Sequence, residues 1–182
     1  MEISKELQDF LNDNNILDLI AAQDWAKLFS MQTLSRRTMN CSQLHSVLLN
    51  SGIASTQEIL DILGYVPDGF FQDFRSLENI TLSNNITSIG KYAFESCMNL
   101  TAITLPTSLT RIGDHAFEDC INFKNITIPD GVASIGDWAF WGCHKLTSIT
   151  LPNSLTSIGK YAFRGCWKLE TIVFKGTEEQ WD

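Results

Sequence analysis

The chain is 182 residues long, 44% hydrophobic, 10% aromatic and 19% charged, apolar enough for a sizeable core and too sparsely charged for a disordered chain. Thirteen Lys and Arg against 21 Asp and Glu give −8 and an isoelectric point near 4.8, which disfavours docking on nucleic-acid phosphates and permits a surface that seeks basic partners. No run of 18 apolar residues is present to insert in a membrane, and Met1-Glu2-Ile3-Ser4-Lys5-Glu6 lacks the basic and apolar regions of a secretory signal, so the expectation is a cytoplasmic protein.

Residues 1–64 contain no proline and no repeat. Ile3, Leu7, Phe10 and Leu11 recur at helical spacing, and Asn14-Asn15 interrupts them. Ile16, Leu17, Leu19, Ile20, Trp25, Leu28 and Phe29 predict a second helix; Leu44, Val47 and Leu48 predict a third that ends by Gly52. Ser55-Thr56-Gln57-Glu58 is a capping box opening a fourth helix over residues 59–63, which Gly64 terminates. Residues 1–64 are thus a small all-α unit. It is either a cap on the structure that follows or a separate partner-binding or dimerisation module. Ser35-Arg36-Arg37-Thr38 suggests a DNA-binding turn, but two arginines in a segment of net charge −4 grip phosphate poorly.

From residue 80 the chain repeats. Ile80, Ile103, Ile126, Ile149 and Ile172 are each 23 residues apart. The four full units read ITLSNNITSIGKYAFESCMNLTA, ITLPTSLTRIGDHAFEDCINFKN, ITIPDGVASIGDWAFWGCHKLTS and ITLPNSLTSIGKYAFRGCWKLET. Glycine returns at 90, 113, 136 and 159, alanine at 93, 116, 139 and 162, phenylalanine at 94, 117, 140 and 163, cysteine at 97, 120, 143 and 166. A unit this short cannot bury its own apolar face, whereas a stack of such units builds one continuous core. The L-x-x-I-T-L segment alternates at period two and is a strand. Pro106, Pro129 and Pro152 end it. The I-G-x-x-A-F-x-x-C segment then packs Ile, Ala, Phe and Cys inward as a turn or a single helix-like turn, with the glycine admitting a tight corner. Strands of successive coils pair in parallel, roughly 4.8 Å apart.

The unit I-T-L-P-x-S-L-T-S-I-G-x-x-A-F-x-G-C-x-x-L resembles the 23-residue repeat of the BspA-like (Treponema pallidum-type) leucine-rich repeat family, over about residues 66–174. The resemblance implies an α/β repeat solenoid of right-handed coils with a parallel sheet on its concave face. It implies adhesion and protein–protein recognition, often at microbial surfaces. It brings no catalytic residues. The resemblance does not reach residues 1–64.

The boundaries follow from the repeat. Val66 to Leu77 keep its phase, with Phe71 at the phenylalanine position and Phe74 replacing the cysteine, which makes residues 66–79 a degenerate half-coil. Four repeats fill 80–171, and 172–182 form a C-terminal cap. There Ile172-Val173-Phe174 is a last strand. Thr177-Glu178-Glu179-Gln180 has a capping-box pattern, which predicts a short helix with Trp181 over the final coil, unless the chain stops within a repeat. The solenoid is residues 65–182.

Candidate chemistry is sparse. Stacked cysteines hold their Cβ atoms about 4.8 Å apart against the roughly 3.8 Å that a disulfide prefers, so they read as small buried hydrophobes. Cys41 with His45, and Cys143 with His144, supply too few converging ligands for zinc. The histidines lie at repeat positions whose siblings are Tyr, Trp, Met and Ile, and no G-x-S-x-G, phosphate-binding or dinucleotide-binding pattern occurs. No catalytic, metal or cofactor site is expected. Asn-x-Ser/Thr at Asn40, Asn79, Asn85, Asn99 and Asn125 reads as a by-product of an Asn/Thr-rich repeat.

Two strips remain. Thr81, Thr104, Thr127 and Thr150 form a flat polar ladder. Tyr92, His115, Trp138 and Tyr161 occupy one variable column, Met98, Ile121, His144 and Trp167 another, with Trp141 between. Clustered aromatics of this kind make binding hot spots, so Tyr92, His115, Trp138, Trp141, His144, Tyr161 and Trp167 are the candidate partner-binding residues. The alternative is that the rings stack as ladders between coils. The predicted function is non-enzymatic binding of another protein, in one form as an acidic intracellular inhibitor or effector that occupies a basic channel. Rival readings are a surface or secreted adhesin for host matrix proteins and carbohydrate binding through the Tyr/Trp column.

Overall fold

The computed structural model describes residues 55–181. The three helices expected within residues 3–48, the Arg36-Arg37 pair, Cys41 and His45 lie outside the described residues.

Helix α1 (Thr56–Leu63) forms where the capping box places it. The Ser55 hydroxyl accepts the Glu58 N–H at 3.2 Å and the Glu58 carboxylate accepts the Ser55 N–H at 2.8 Å, satisfying backbone donors that a helix start leaves open. Gly64 closes the helix in the left-handed region, φ 69°, its N–H returning to the Leu60 carbonyl at 2.9 Å. Ile59 and Leu60 are fully buried in the solenoid core. Asp61 accepts the Ser83 hydroxyl at 2.5 Å.

The coils stack in parallel register. Strands β1 (Asn79–Thr81), β3 (Ala102–Thr104), β5 (Asn125–Thr127), β7 (Ser148–Leu151) and β9 (Thr171–Phe174) are the expected I-T-L segments. β1 pairs with β3, and β5, β7 and β9 form a three-stranded sheet, with Ile80 opposite Ile103 and Ile126, Ile149 and Ile172 in line. A second parallel sheet runs along another side of the stack: β2 (Ser88–Ile89), β4 (Arg111–Ile112), β6 (Ser134–Ile135) and β8 (Ser157–Ile158). The sequence reading assigned these residues to the turn. Two-residue strands carry no periodic signal, and only the neighbouring coil makes them a sheet. The half-coil joins it through a parallel bridge between Val66 and Ile89.

Of the two conformations open to the I-G-x-x-A-F-x-x-C segment, the turn is the one observed. Among the described residues the helices are α1 and α2 (Glu178–Trp181). Alternate N–H groups of the turn leave their own coil: Tyr92 donates to the Asp114 carbonyl at 3.0 Å, Phe94 to Ala116 at 2.8 Å and Ser96 to Glu118 at 2.8 Å. The next coil repeats this from His115, Phe117 and Asp119. A helix would turn those donors back on itself, whereas here they join coils. The geometry requires left-handed residues at two positions per coil. Tyr92, His115, Trp138 and Tyr161 have φ of 57–59°; Ser96 and Asp119 have 56° and 54°, and Gly142 and Gly165 fill the same place. Bulky side chains in this region cost roughly 1–2 kcal/mol each, offset by the inter-coil bonds.

The repeated glycines have a different reason from the one expected. Gly90, Gly113, Gly136 and Gly159 are absent from the positive-φ residues. A Cβ at Gly136 would lie 2.5 Å from the Gly113 carbonyl carbon and the Asp114 nitrogen, and one at Gly159 2.3 Å from the equivalent backbone. They let neighbouring coils touch, and a tight corner is not what they supply.

The core is a set of ladders. Phe71, Phe94, Phe117, Phe140 and Phe163 stack with centroids 4.8, 5.1, 5.2 and 5.5 Å apart. The end of the stack is less covered. Ile135 and Ile149 are 2% and 1% exposed, but their counterparts Ile158 and Ile172 are 40% and 45% exposed.

Candidate functional site

The cysteine column does more than fill space. Cys97, Cys120, Cys143 and Cys166 each donate an S–H to the carbonyl of the phenylalanine 26 residues earlier, at 3.0, 3.1, 3.2 and 3.1 Å. The thiol is small, apolar and still a weak donor to a buried carbonyl. Burial pushes the Cys97 thiol up to about 12 and the Cys166 thiol up to about 11, and raises Cys120 and Cys143 well above the ordinary value. Such thiols are poor nucleophiles and poor metal ligands. They are all unpaired as disulfides, and among the described residues no cluster of three or more His, Cys, Asp or Glu is placed to hold a metal.

A groove of about 370 Å³ crosses the coils above the glycine ladder, lined in part by Lys91, Arg111, Asp114, Ser134, Asp137 and Ser157. Its carboxylates are engaged in structure. Asp114 accepts the Asp137 N–H at 3.1 Å and pairs with Lys91 at 2.7 Å, which holds its carboxyl below the usual range. Asp137 accepts the Lys160 N–H at 2.6 Å. Each aspartate ties its coil to the next, and no nucleophile with a base beside it lies among these lining residues.

The aromatic column is continuous. Tyr92 stacks on His115 at 4.6 Å and 17°, His115 on Trp138 at 6.0 Å and 5°, and Trp138 meets Tyr161 at 4.8 Å and Trp141 edge-on at 6.0 Å. The inter-coil stacking is therefore real, and it sorts the candidate residues. His115, Trp138 and Trp141 are half-buried, the His115 ring also meeting the Glu118 carboxylate through Nδ1. Tyr92 is 40%, Tyr161 54% and Trp167 81% exposed, and His144 is exposed. The inner rings present edges, because their faces lie against neighbours. Open ring surface gathers at Tyr161 and Trp167 on the last coil. The position three residues after each column member has an internal partner in the earlier coils: Glu95 with Gln72, Glu118 with His115, Trp141 with Trp138. On the last coil it is Arg164, whose guanidinium lies 5.3 Å over the Tyr161 ring. Sequence spacing located the column but could not distinguish its buried rungs from its open end.

Residues 64–181 match the family described as BspA type Leucine rich repeat region, in six copies. The chain belongs to the BspA-type leucine-rich repeat family. Solved structures agree. The T. pallidum Leucine Rich Repeat protein is 35% identical with a TM-score of 0.59, covering 59% of this chain and 50% of that one. A leucine rich cell surface protein from Faecalibacterium prausnitzii A2-165 is 29% identical with a TM-score of 0.51, covering 58% of this chain and 34% of that one. The pneumococcal vaccine antigen PcpA is 25% identical with a TM-score of 0.55, covering 64% of this chain and 29% of that one. The chain thus spans half or less of the length of these proteins. No curated protein matches it. The family's repeat fold is non-catalytic and generally serves in protein interaction or at surfaces. Among the described residues no helix is long and apolar enough to cross a membrane.

Proposed function

We propose that this solenoid is a non-enzymatic recognition module that binds a partner protein through the outer edge of its aromatic column, with Tyr161 and Trp167 as anchors. The observation that carries the reading is Trp167, 81% exposed at a position no core contact requires. Trp138 packs against Tyr161 and Trp141 against Trp138, and Tyr92, His115 and His144 extend the strip along the stack. A surface prefixed by inter-coil bonds loses little conformational freedom on binding. The stacked inner rings present mainly edges, which leaves Tyr161 and Trp167 as the contact rings of the column. The cell-surface character of the Faecalibacterium relative favours an adhesin role over an intracellular inhibitor.

The test is retention of one partner from an extract, followed by a titration with that partner purified. Tyr161→Ala/Trp167→Ala should lose at least about thirtyfold in affinity, the scale of a hot-spot residue, while still folding, with a melting temperature lowered only by the lost contact of Tyr161 with Trp138. Equal affinity in the double variant rules out this face as the binding surface.

A further inference from the structure

The net charge of −8 conceals a reversal along the solenoid. Residues 55–136 hold four Lys and Arg against ten Asp and Glu, a formal −6. Residues 137–175 hold five Lys and Arg against Asp137 and Glu170, a formal +3. The two most exposed rings, Tyr161 and Trp167, sit in the positive part. Of the cations that precede them, Lys91 pairs with Asp114 at 2.7 Å and Lys145 donates to the Asn122 amide oxygen at 2.7 Å. Lys160, three coils after Lys91 in the same phase, and Lys168, one coil after Lys145, have no side-chain partner among the described residues, and Arg164 has the Tyr161 ring alone. Lys160, Tyr161, Arg164, Trp167 and Lys168 are all exposed within one turn segment of nine residues.

On this basis, and resting on the recognition reading above, we infer that the face is built for an acidic segment of its partner protein, with carboxylates meeting Lys160, Arg164 and Lys168 and an apolar side chain against Trp167. Arg and Trp together are the residue types that concentrate binding free energy. An uncompensated cationic patch in an otherwise acidic molecule selects the partner's charge and repels basic surfaces. The inference reverses the expectation drawn from net charge, which pointed to a basic partner: the charge that matters is the local one.

The test is selection from a displayed library of random twelve-residue peptides on three immobilised proteins: wild type, Tyr161→Ala/Trp167→Ala, and Lys160→Glu/Arg164→Glu/Lys168→Glu. All the altered side chains are exposed, and thermal melts check that the variants fold. The expected result is that wild type enriches Asp- and Glu-rich peptides, that the ring variant does not, and that the charge-reversed variant captures those peptides at least about tenfold less well. Peptides that depend on the rings but are neutral or basic overturn the acidic partner while leaving the binding face in place. Peptides captured equally by wild type and the ring variant, or none at all, overturn the face itself and the inference with it.

Discussion

Replacing Gly136 by alanine separates two accounts of the repeat's glycines. The added Cβ would meet backbone atoms of the preceding coil, the Gly113 carbonyl carbon and the Asp114 nitrogen, both at 2.5 Å. Ordinary contact begins near 3.4 Å, so the coils must part locally by about 0.9 Å. The opposing atoms are main chain and cannot rotate away. Parting them breaks the 2.9 Å bond from the Gly136 N–H to the Ile112 carbonyl and strains the two-residue pairing of β4 with β6. Losing about three such bonds at roughly 1 kcal/mol each, with overpacking strain of about 1–3 kcal/mol, gives a destabilisation of about 4–6 kcal/mol. Gly142→Ala is the control. Its φ of 71° is the one usually taken to demand glycine. Yet Ser96 and Asp119 hold that conformation in the preceding coils, and the nearest obstacle is the Asp119 carboxylate, which can swing aside. About 1 kcal/mol is expected. Urea unfolding followed by tryptophan fluorescence reads both variants on one scale. A larger loss at Gly142 than at Gly136 refutes the close-approach account.

Other substitutions read other parts of the stack. Cys120→Ala removes the 3.1 Å bond to the Phe94 carbonyl and leaves a small void, for about 2 kcal/mol; Cys120→Ser keeps a donor and should recover part of that in thermal melts, and if it recovers none the thiol is only filler. The thiols set an alkaline limit. Their folded pKa values lie above the unfolded ones, so their contribution is intact below about pH 9 and falls toward the 12 and 11 reached by Cys97 and Cys166. Urea midpoints above pH 9 should therefore fall more steeply in wild type than in Cys97→Ala, and parallel pH dependences would contradict the assignment. Trp167→Ala should leave stability within about 0.5 kcal/mol, while Trp138→Ala, in contact with His115, Tyr161 and Trp141, should lose about 2 kcal/mol; equal effects would mean the two rings are used alike.

The repeat arithmetic exposed most of the solenoid in advance, because a 23-residue period constrains many positions at once. The Ile80-to-Ile172 series gave the strands, Phe71 and Phe74 revealed the half-coil, and Ser55 with Glu58 marked α1. What stayed hidden depended on the neighbouring coil. Ser134-Ile135 is too short to look like a strand until Arg111-Ile112 lies beside it. The thiol bonds reach back 26 residues, a relation without local signature. At the candidate site the column was legible from spacing, but exposure was not: Trp138 and Trp167 are the same residue type at equally variable positions, one wedged among three rings and one 81% exposed. Total charge was misleading for a related reason, since composition is blind to its distribution.

The uneven covering of the two ends has a consequence for motion. In a stack where each coil is coupled only to its neighbours, opening begins where a coil is least covered. Ile59 and Leu60 close one end, whereas Ile158 and Ile172 leave the other partly uncovered. Amide exchange should therefore speed up along the chain toward β8 and β9, slowest around Phe94 and Phe117 and fastest around Tyr161 and Trp167. The coil that carries the open rings is then the one with most freedom left to lose, and whatever settles on it would slow exchange one coil inward from the surface it touches.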